Sequence, residues 1–341
     1  MVQPGTTILG RGAAPGHHGE WLQGEFFHAG GYDPALVSVP CPLFRAEAEF
    51  LIDPHRATLT VVPAGRVKAL RAARLTLESF GAHAMGGQLR IRNPAPVGFG
   101  FGSSTADCLS AVRAVAAALQ QALTADAEAH LAVSAEGASD GTMCEVQPAL
   151  FAQCKGKVLE AFLPGWPELI VLGFPLFDEA QGVDTLAVRR PDYAVAEREE
   201  FEALRQWFRH GIMTGSVELL GRVADRSAEI NQRYFPIPRF PQLRAVAQAS
   251  GAAGLQIAHT GCIAGLIFRN DNTSSERLCV ARHGLRRIGI ARDWRFRLGT
   301  VPAAEDQSTG RHAGFGCGSQ KVQPAGSDLP AYRAQQKPDS F

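Results

Sequence analysis

Short apolar runs broken by Gly, Pro and His fill residues 7–50, the pattern of strands joined by tight turns. Positions 44–52 alternate apolar and polar side chains and predict a half-buried strand, with 57–62 following as its partner in an N-terminal sheet. Residues 67–80 carry helical spacing, and 88–93 predict a further strand. An alanine-rich run over 108–123 predicts a helix and 126–134 a second one. A polar turn over 136–142 then leads into a hairpin made from 149–151 and 157–162. Pro164-Gly165-Trp166-Pro167 breaks the pattern, and the apolar run 169–174 reads as a buried strand that opens a new unit. Helical patterns over 197–210, 216–233 and 241–251, with strands over 254–258 and 263–268, make that unit α+β. The expected organisation is a domain over 1–165, a second over 166–297, and a disordered tail over 298–341, where Gly, Ser, Gln, Pro and charge replace clustered apolar residues. No internal repeat is visible.

Composition adds limits. A chain of 341 residues with 45% hydrophobic side chains is long enough for two packed cores. Its net charge of +1 gives no overall reason to expect nucleic acid or a membrane surface as partner. Seven cysteines without a CxxC pair read as reduced thiols, and no segment has the pattern of a signal peptide or a bilayer span, so the expected location is the cytoplasm. The basic stretch 282–297 lacks the aromatic interleaving of a nucleic-acid module and reads as a solvated helix face.

The most informative segment runs from Pro94 to Asp107, where a strand, a glycine loop and a helix start follow one another. Gly100 and Gly102 allow a sharp turn close to a ligand. Ser103, Ser104 and Thr105 stand where the free N–H groups of a helix start would face an anion, which suits a polyphosphate. No GKS or GKT follows, so the loop is not the Walker form, and it is not the GxGxxG dinucleotide fingerprint with an acidic residue placed after a second strand. A plain Gly/Ser turn that caps a helix is the alternative.

Pro96-x-x-x-Gly100-Phe101-Gly102-Ser103-Ser104-Thr105-Ala106 resembles the phosphate loop of the GHMP small-molecule kinase superfamily. Residues 14–24, containing Gly19-Glu20-Trp21-Leu22-Gln23-Gly24, resemble its first motif, and 258–266, containing His259-Thr260-Gly261, its third. Within the superfamily the chain is most similar to the L-threonine kinases of cobalamin synthesis, whose pattern is echoed by Val183-Asp184-Thr185-Leu186 and Ile230-Asn231-Gln232-Arg233. It departs from them at His17-His18, where Ser or Thr followed by Cys is usual, and at 136–140, where a Glu-Pro-Thr-Asp-Ser run is usual.

The resemblance implies an α+β, two-domain GHMP kinase fold, with an N-terminal ribosomal-protein-S5-domain-2-like half and a C-terminal ferredoxin-like half. It also implies transfer of the ATP γ-phosphate to the side-chain hydroxyl of L-threonine, another small hydroxylated amino acid or an amino alcohol being the alternative acceptor, with Mg2+, by a monomer or homodimer. Pro96, Gly98, Phe99, Gly100, Phe101, Gly102, Ser103, Ser104 and Thr105 would hold the nucleotide, and Ser103, Ser104 and Glu136 the metal. Asp140 would accept or orient the hydroxyl proton, an Asx turn before Gly141 being its other reading. Glu20, Asp184, Thr185, Arg233, His259, Thr260 and Gly261 would contact the acceptor, with Arg233 suited to a carboxylate unless it is an exposed helix end. Adjacent histidines rarely share one ion and no third ligand is near in sequence, so His17-His18 reads as a turn shaping the site floor. A catalytically inactive nucleotide-binding module is the rival from another class.

Overall fold

The structure, a computed structural model, describes residues 9–53, 57–96, 98–177 and 191–299. Asp184, Thr185 and all of the expected 298–341 tail except Leu298 and Gly299 therefore lie outside the described residues.

Two long strands, β1 (Leu9–His28) and β2 (Gly31–Asp53), form an antiparallel hairpin whose register runs from Leu9↔Leu51 to His28↔Gly31. Their ladder is irregular at Pro15/Gly16 and on both sides of Glu20, where the first kinase-like motif falls. Such bulges re-aim side chains, and here they turn His17 and Glu20 toward the site. Next come β3 (Leu59–Val62), α1 (Val67–Ser79) and β4 (Gly86–Arg92). The 57–62 run does not pair with 44–52 as expected, because β4 lies between them, antiparallel to β2 and parallel to β3. Parallel neighbours need a crossover, and α1 supplies it.

The alanine-rich helix α2 (Ser103–Ala118) begins five residues earlier than the composition predicts, directly at the glycine loop. It packs against β1 without a side-chain layer between them: a Cβ at Gly12 would stand 2.2 Å from the carbonyl oxygen of Ser110. Small residues on both sides thus bring the helix backbone onto the sheet and fix where its N-terminus points. Helix α3 (Ala125–Glu136), capped by Thr124, and the hairpin β5 (Ala149–Ala152) and β6 (Lys157–Ala161) complete this half.

The remaining elements are β7 (Leu169–Pro175), α4 (Val195–Thr214), α5 (Val217–Asn231), α6 (Phe240–Ser250), β8 (Gly254–Ile257), β9 (Ile263–Arg269), α7 (Ser274–Arg287) and β10 (Trp294–Leu298). The basic stretch thus divides: its first part is the end of α7, while 294–298 is an edge strand antiparallel to β7, with Phe296 and Leu298 buried. Alternating arginines on its outer face hid that strand from a reading by charge. The sheet runs in the order β10-β7-β9-β8-β1-β2-β4-β3. Its two halves meet at a single residue pair, Glu20↔Ile257, and the described residues form one compact unit. Among the described residues no helix is long and apolar enough to cross a membrane.

Candidate active site

The glycine loop is bent by three left-handed residues, Gly98, Gly100 and Gly102, with φ of 81°, 83° and 62°. Phe101 between them is buried against Phe44 and Trp294, with ring centroids 4.6 and 5.3 Å away. Burying such a ring contributes about 2 kcal/mol, and hydrogen bonds add to its hold on the loop. The backbone N–H of His17 donates to the carbonyl of Phe101 at 3.0 Å. Asn93 donates to the carbonyl of Ser103 at 3.1 Å and to the Asp107 carboxylate at 2.7 Å, and Arg66 pairs with the same carboxylate at 2.7 Å. Loop, strand end and helix are therefore clamped together before any ligand arrives.

Gly102 is the N-cap of α2 and offers no side chain to its first turn. The N–H groups of the first turn face outward unpaired with helix carbonyls, and with the helix dipole they favour a bound anion. Glu136, the last residue of α3, lies against this turn: Ser104 donates to its Oε2 at 2.6 Å and Thr105 to its Oε1 at 2.8 Å. Burial pushes the Glu136 carboxyl up to about 7 and outweighs the two hydroxyl donors, which pull the other way; Asp140 adds to the rise and Lys68 opposes it. All donors at this point are hard oxygens, the set a magnesium ion requires. The same Thr105 hydroxyl accepts the backbone N–H of Asp140 at 3.3 Å, so the turn after α3 and the start of α2 share one hydrogen-bond network.

Asp140 faces His17, whose Nε2 stands 3.3 Å from its Oδ2. On the other side of that ring, Nδ1 is 3.4 Å from Oε1 of Glu20. Glu20 also accepts the backbone N–H of His259, and its Oε1 is 2.9 Å from the His259 Nδ1. Burial opposes a charge on His259, but the Glu20 carboxylate beside it overrides this and raises the ring to about 9. His18 points elsewhere, against Gln256, Trp294 and Phe296. Burial, then the neighbouring His17, pushes it down to about 3, so it stays neutral.

These groups surround a cleft of about 490 Å³. Of the sequence-predicted residues, Gly98, Gly100, Phe101, Gly102, Ser103, Ser104, Thr105, Glu136, Asp140, His259 and Thr260 line it. Pro96, Phe99, Gly261, Glu20 and Arg233 do not. Phe99 packs on the core, and Glu20 is 3% exposed, enclosed by its two histidines. Arg233 pairs with Glu197 at 2.8 Å and is otherwise exposed. In its motif the residue turned inward is Asn231, which accepts from the Tyr193 hydroxyl at 2.7 Å and donates to the Gln23 carbonyl at 3.1 Å. Sequence reasoning missed Lys68, the one lysine or arginine lining the cleft among the described residues. On a helical pattern it reads as part of the exposed face of α1, and only the fold brings it opposite Glu136.

Residues 67–152 match the family model described as the GHMP kinases N terminal domain. The chain thus carries a GHMP kinase N-terminal domain, set in the fold that GHMP kinases share. Among curated proteins it is similar to an L-threonine kinase of Salmonella typhimurium, 29% identical over 189 residues that make up 55% of this chain and 62% of that enzyme's length. Among solved structures, homoserine kinase from Cytophaga hutchinsonii superposes with a TM-score of 0.61 at 15% identity, over 87% of this chain and 96% of its own. A structure described as MDDEF in complex with MVAPP, AMPPCP and magnesium gives a TM-score of 0.55 at 14% identity, over 86% and 98%.

Proposed function

We propose that this protein is an Mg-ATP-dependent kinase that phosphorylates the side-chain hydroxyl of L-threonine to give O-phospho-L-threonine. The observation that carries the reading is the buried Glu136 carboxylate held by Ser104 and Thr105 at the open N-terminus of α2, with Asp140 tied to the same Thr105. In-line phosphoryl transfer is catalysed mainly by positioning and by neutralising charge. Backbone amides from Gly100 to Ser104 hold the β- and γ-phosphates, and Lys68 adds the positive charge that the loop lacks. Ser104 and Glu136, with Ser103 beside them, would hold magnesium, which when bound neutralises phosphate charge. Asp140 orients the acceptor hydroxyl and takes its proton.

An amino-acid acceptor also needs a partner for its carboxylate. Arg233 is turned away toward Glu197, so that role falls to His259, kept charged by Glu20 at the cleft wall. The likeness to an L-threonine kinase supports the same substrate class. The unpaired state of the cysteines described fits a reducing, cytoplasmic setting, where the enzyme acts as a monomer or homodimer.

The test is ADP release with Mg-ATP and a panel of L-threonine, L-serine, L-homoserine, threoninol and ethanolamine, with the product read by phosphorus NMR. Threonine-dependent release is expected, with threoninol a poor acceptor because it lacks the carboxylate. Release with another member only would move the substrate, and nucleotide binding without any transfer would favour the inactive module. Lys68→Ala should raise the KM for ATP by roughly 10-fold, since it removes the one charged phosphate partner on a flexible stem. An unchanged KM would place the triphosphate elsewhere.

A further inference from the structure

His17, Glu20 and Asp140 come from two distant parts of the chain, and each offers a ligand atom lying within 4.8 Å of the others. All three are buried, at 1%, 3% and 8% exposure. The His17 Nδ1 has no hydrogen-bond partner in this enclosure although it lies 3.4 Å from Glu20, and its Nε2 approaches Asp140 only to 3.3 Å. An unsatisfied nitrogen on a ring buried between two carboxylates is costly unless something occupies the space beside it.

We infer that His17, Glu20 and Asp140 form a binding site for a divalent first-row transition ion such as zinc or manganese, separate from the all-oxygen group at Ser104 and Glu136. One imidazole nitrogen with two carboxylate oxygens is a donor set for such ions, since imidazole selects against magnesium and calcium. A tetrahedral shell with bonds of about 2.1 Å sets its ligand atoms about 3.4 Å apart; His17 meets Glu20 through Nδ1 and Asp140 through Nε2, so an ion takes one of these nitrogens and draws in the carboxylate on the far side, which lies within 4.8 Å. Closing the set requires the widest pair to approach by at most about 1.4 Å from its present limit of 4.8 Å. Glu20 is oriented for this by His259, whose backbone N–H and Nδ1 both meet it; a ligating carboxylate held by a second donor in this way is typical of metal centres. His17 and Asp140 also line the cleft, which gives the ion a route in. His18, adjacent in sequence, takes no part, so the site needs residues that the sequence keeps 120 positions apart. Occupancy makes Asp140 a ligand, and the site is defined without reference to any kinase activity.

The full chain without nucleotide is titrated with Mn2+ and examined by electron paramagnetic resonance with electron spin-echo envelope modulation. Nitrogen-14 modulation from a directly bonded imidazole is expected, and Zn2+ should displace the ion. His17→Gln should lose the nitrogen signal and weaken binding at least ~10-fold, with Asp140→Asn weakening it as a second variant, whereas Glu136→Gln should keep the nitrogen-coupled ion. An oxygen-only spectrum in the unaltered protein, a nitrogen signal that survives His17→Gln, or no bound ion at millimolar Mn2+ overturns the site.

Discussion

Glu136→Gln should reduce Mg-dependent turnover at least ~10-fold while making the protein more stable above neutral pH, because the charge it removes serves the transition state and not the fold. Glu136 is 6% exposed and spends both oxygens on Ser104 and Thr105. Burial raises its carboxyl from the ordinary 4.5 to about 7, with the two hydroxyls opposing. A folded-state value above the unfolded one means that the stability this group contributes is complete below about pH 4.5 and is lost as pH rises through about 7. Glutamine fills the same volume without a charge to desolvate. The melting temperature of the variant should therefore draw ahead of the parent between pH 5 and pH 8 in metal-free buffer. The same carboxyl must lose its proton to ligate magnesium, so the apparent Mg2+ affinity of the parent should fall about tenfold per unit below pH 7 and level off above it. Calorimetry in buffers of different ionisation enthalpy would detect the proton released on binding. A parent whose Mg2+ affinity is flat from pH 5.5 to 8, or a glutamine variant with full turnover, sinks the metal assignment.

This opposition of stability and function is a reason to read the Glu136–Ser104–Thr105 group as a site. A carboxylate kept for folding alone would be expected at the surface or beside an arginine, as Glu160 is beside Arg205 and Arg209. Burying one under two hydroxyls, next to Asp140, stores an unfavourable charge that a cation can relieve.

Much of this was legible in the chain. The run Gly100-Phe101-Gly102-Ser103-Ser104-Thr105 shows its loop-to-helix geometry directly, because glycine needs and helix-start hydroxyls are local properties. Helices α1, α3, α4, α5 and α6 and strands β4 to β9 fall where periodicity puts them, since each buries one face against a neighbour. What failed was non-local. The order of β3 and β4 depends on a crossover helix, and β10 carries arginines at alternate positions that read as solvent-facing charge. Arg233 looked like a carboxylate fork but is taken by Glu197, 36 residues earlier on the chain. Lys68 and the His17–Asp140 approach depend on how α1 and the 136–140 turn pack, which no window of sequence contains. In sequence His17 reads as one half of a His17-His18 pair, whereas in the fold the two rings face different surroundings.

Gly102→Ala should lower turnover by about 100-fold in a protein that still folds, since displacing reacting groups by about 1 Å costs that much. Gly102 has φ 62° and ψ 32°, a left-handed conformation that costs an L-residue roughly 1–2 kcal/mol. That penalty alone would be tolerated. The larger problem is space: a Cβ there would lie 2.1 Å from Cδ2 of His17 and 2.8 Å from Oδ2 of Asp140. His17 is packed under the loop and hydrogen-bonded through its backbone to Phe101, so it can move only by pushing Asp140 or by lifting the loop from the N-terminus of α2. Either movement separates the proposed phosphate cradle from the proposed proton acceptor. The control is Gly30→Ala at the tip of the β1–β2 hairpin, where φ is 88° and nothing lies within 4 Å of the new Cβ. Both variants bear the left-handed penalty, and only one crowds the site. Circular dichroism should show both folded, with steady-state kinetics separating them. Equal, near-parental rates would mean that His17 and Asp140 are not held in a catalytic arrangement by this loop, and that the cleft works through other groups.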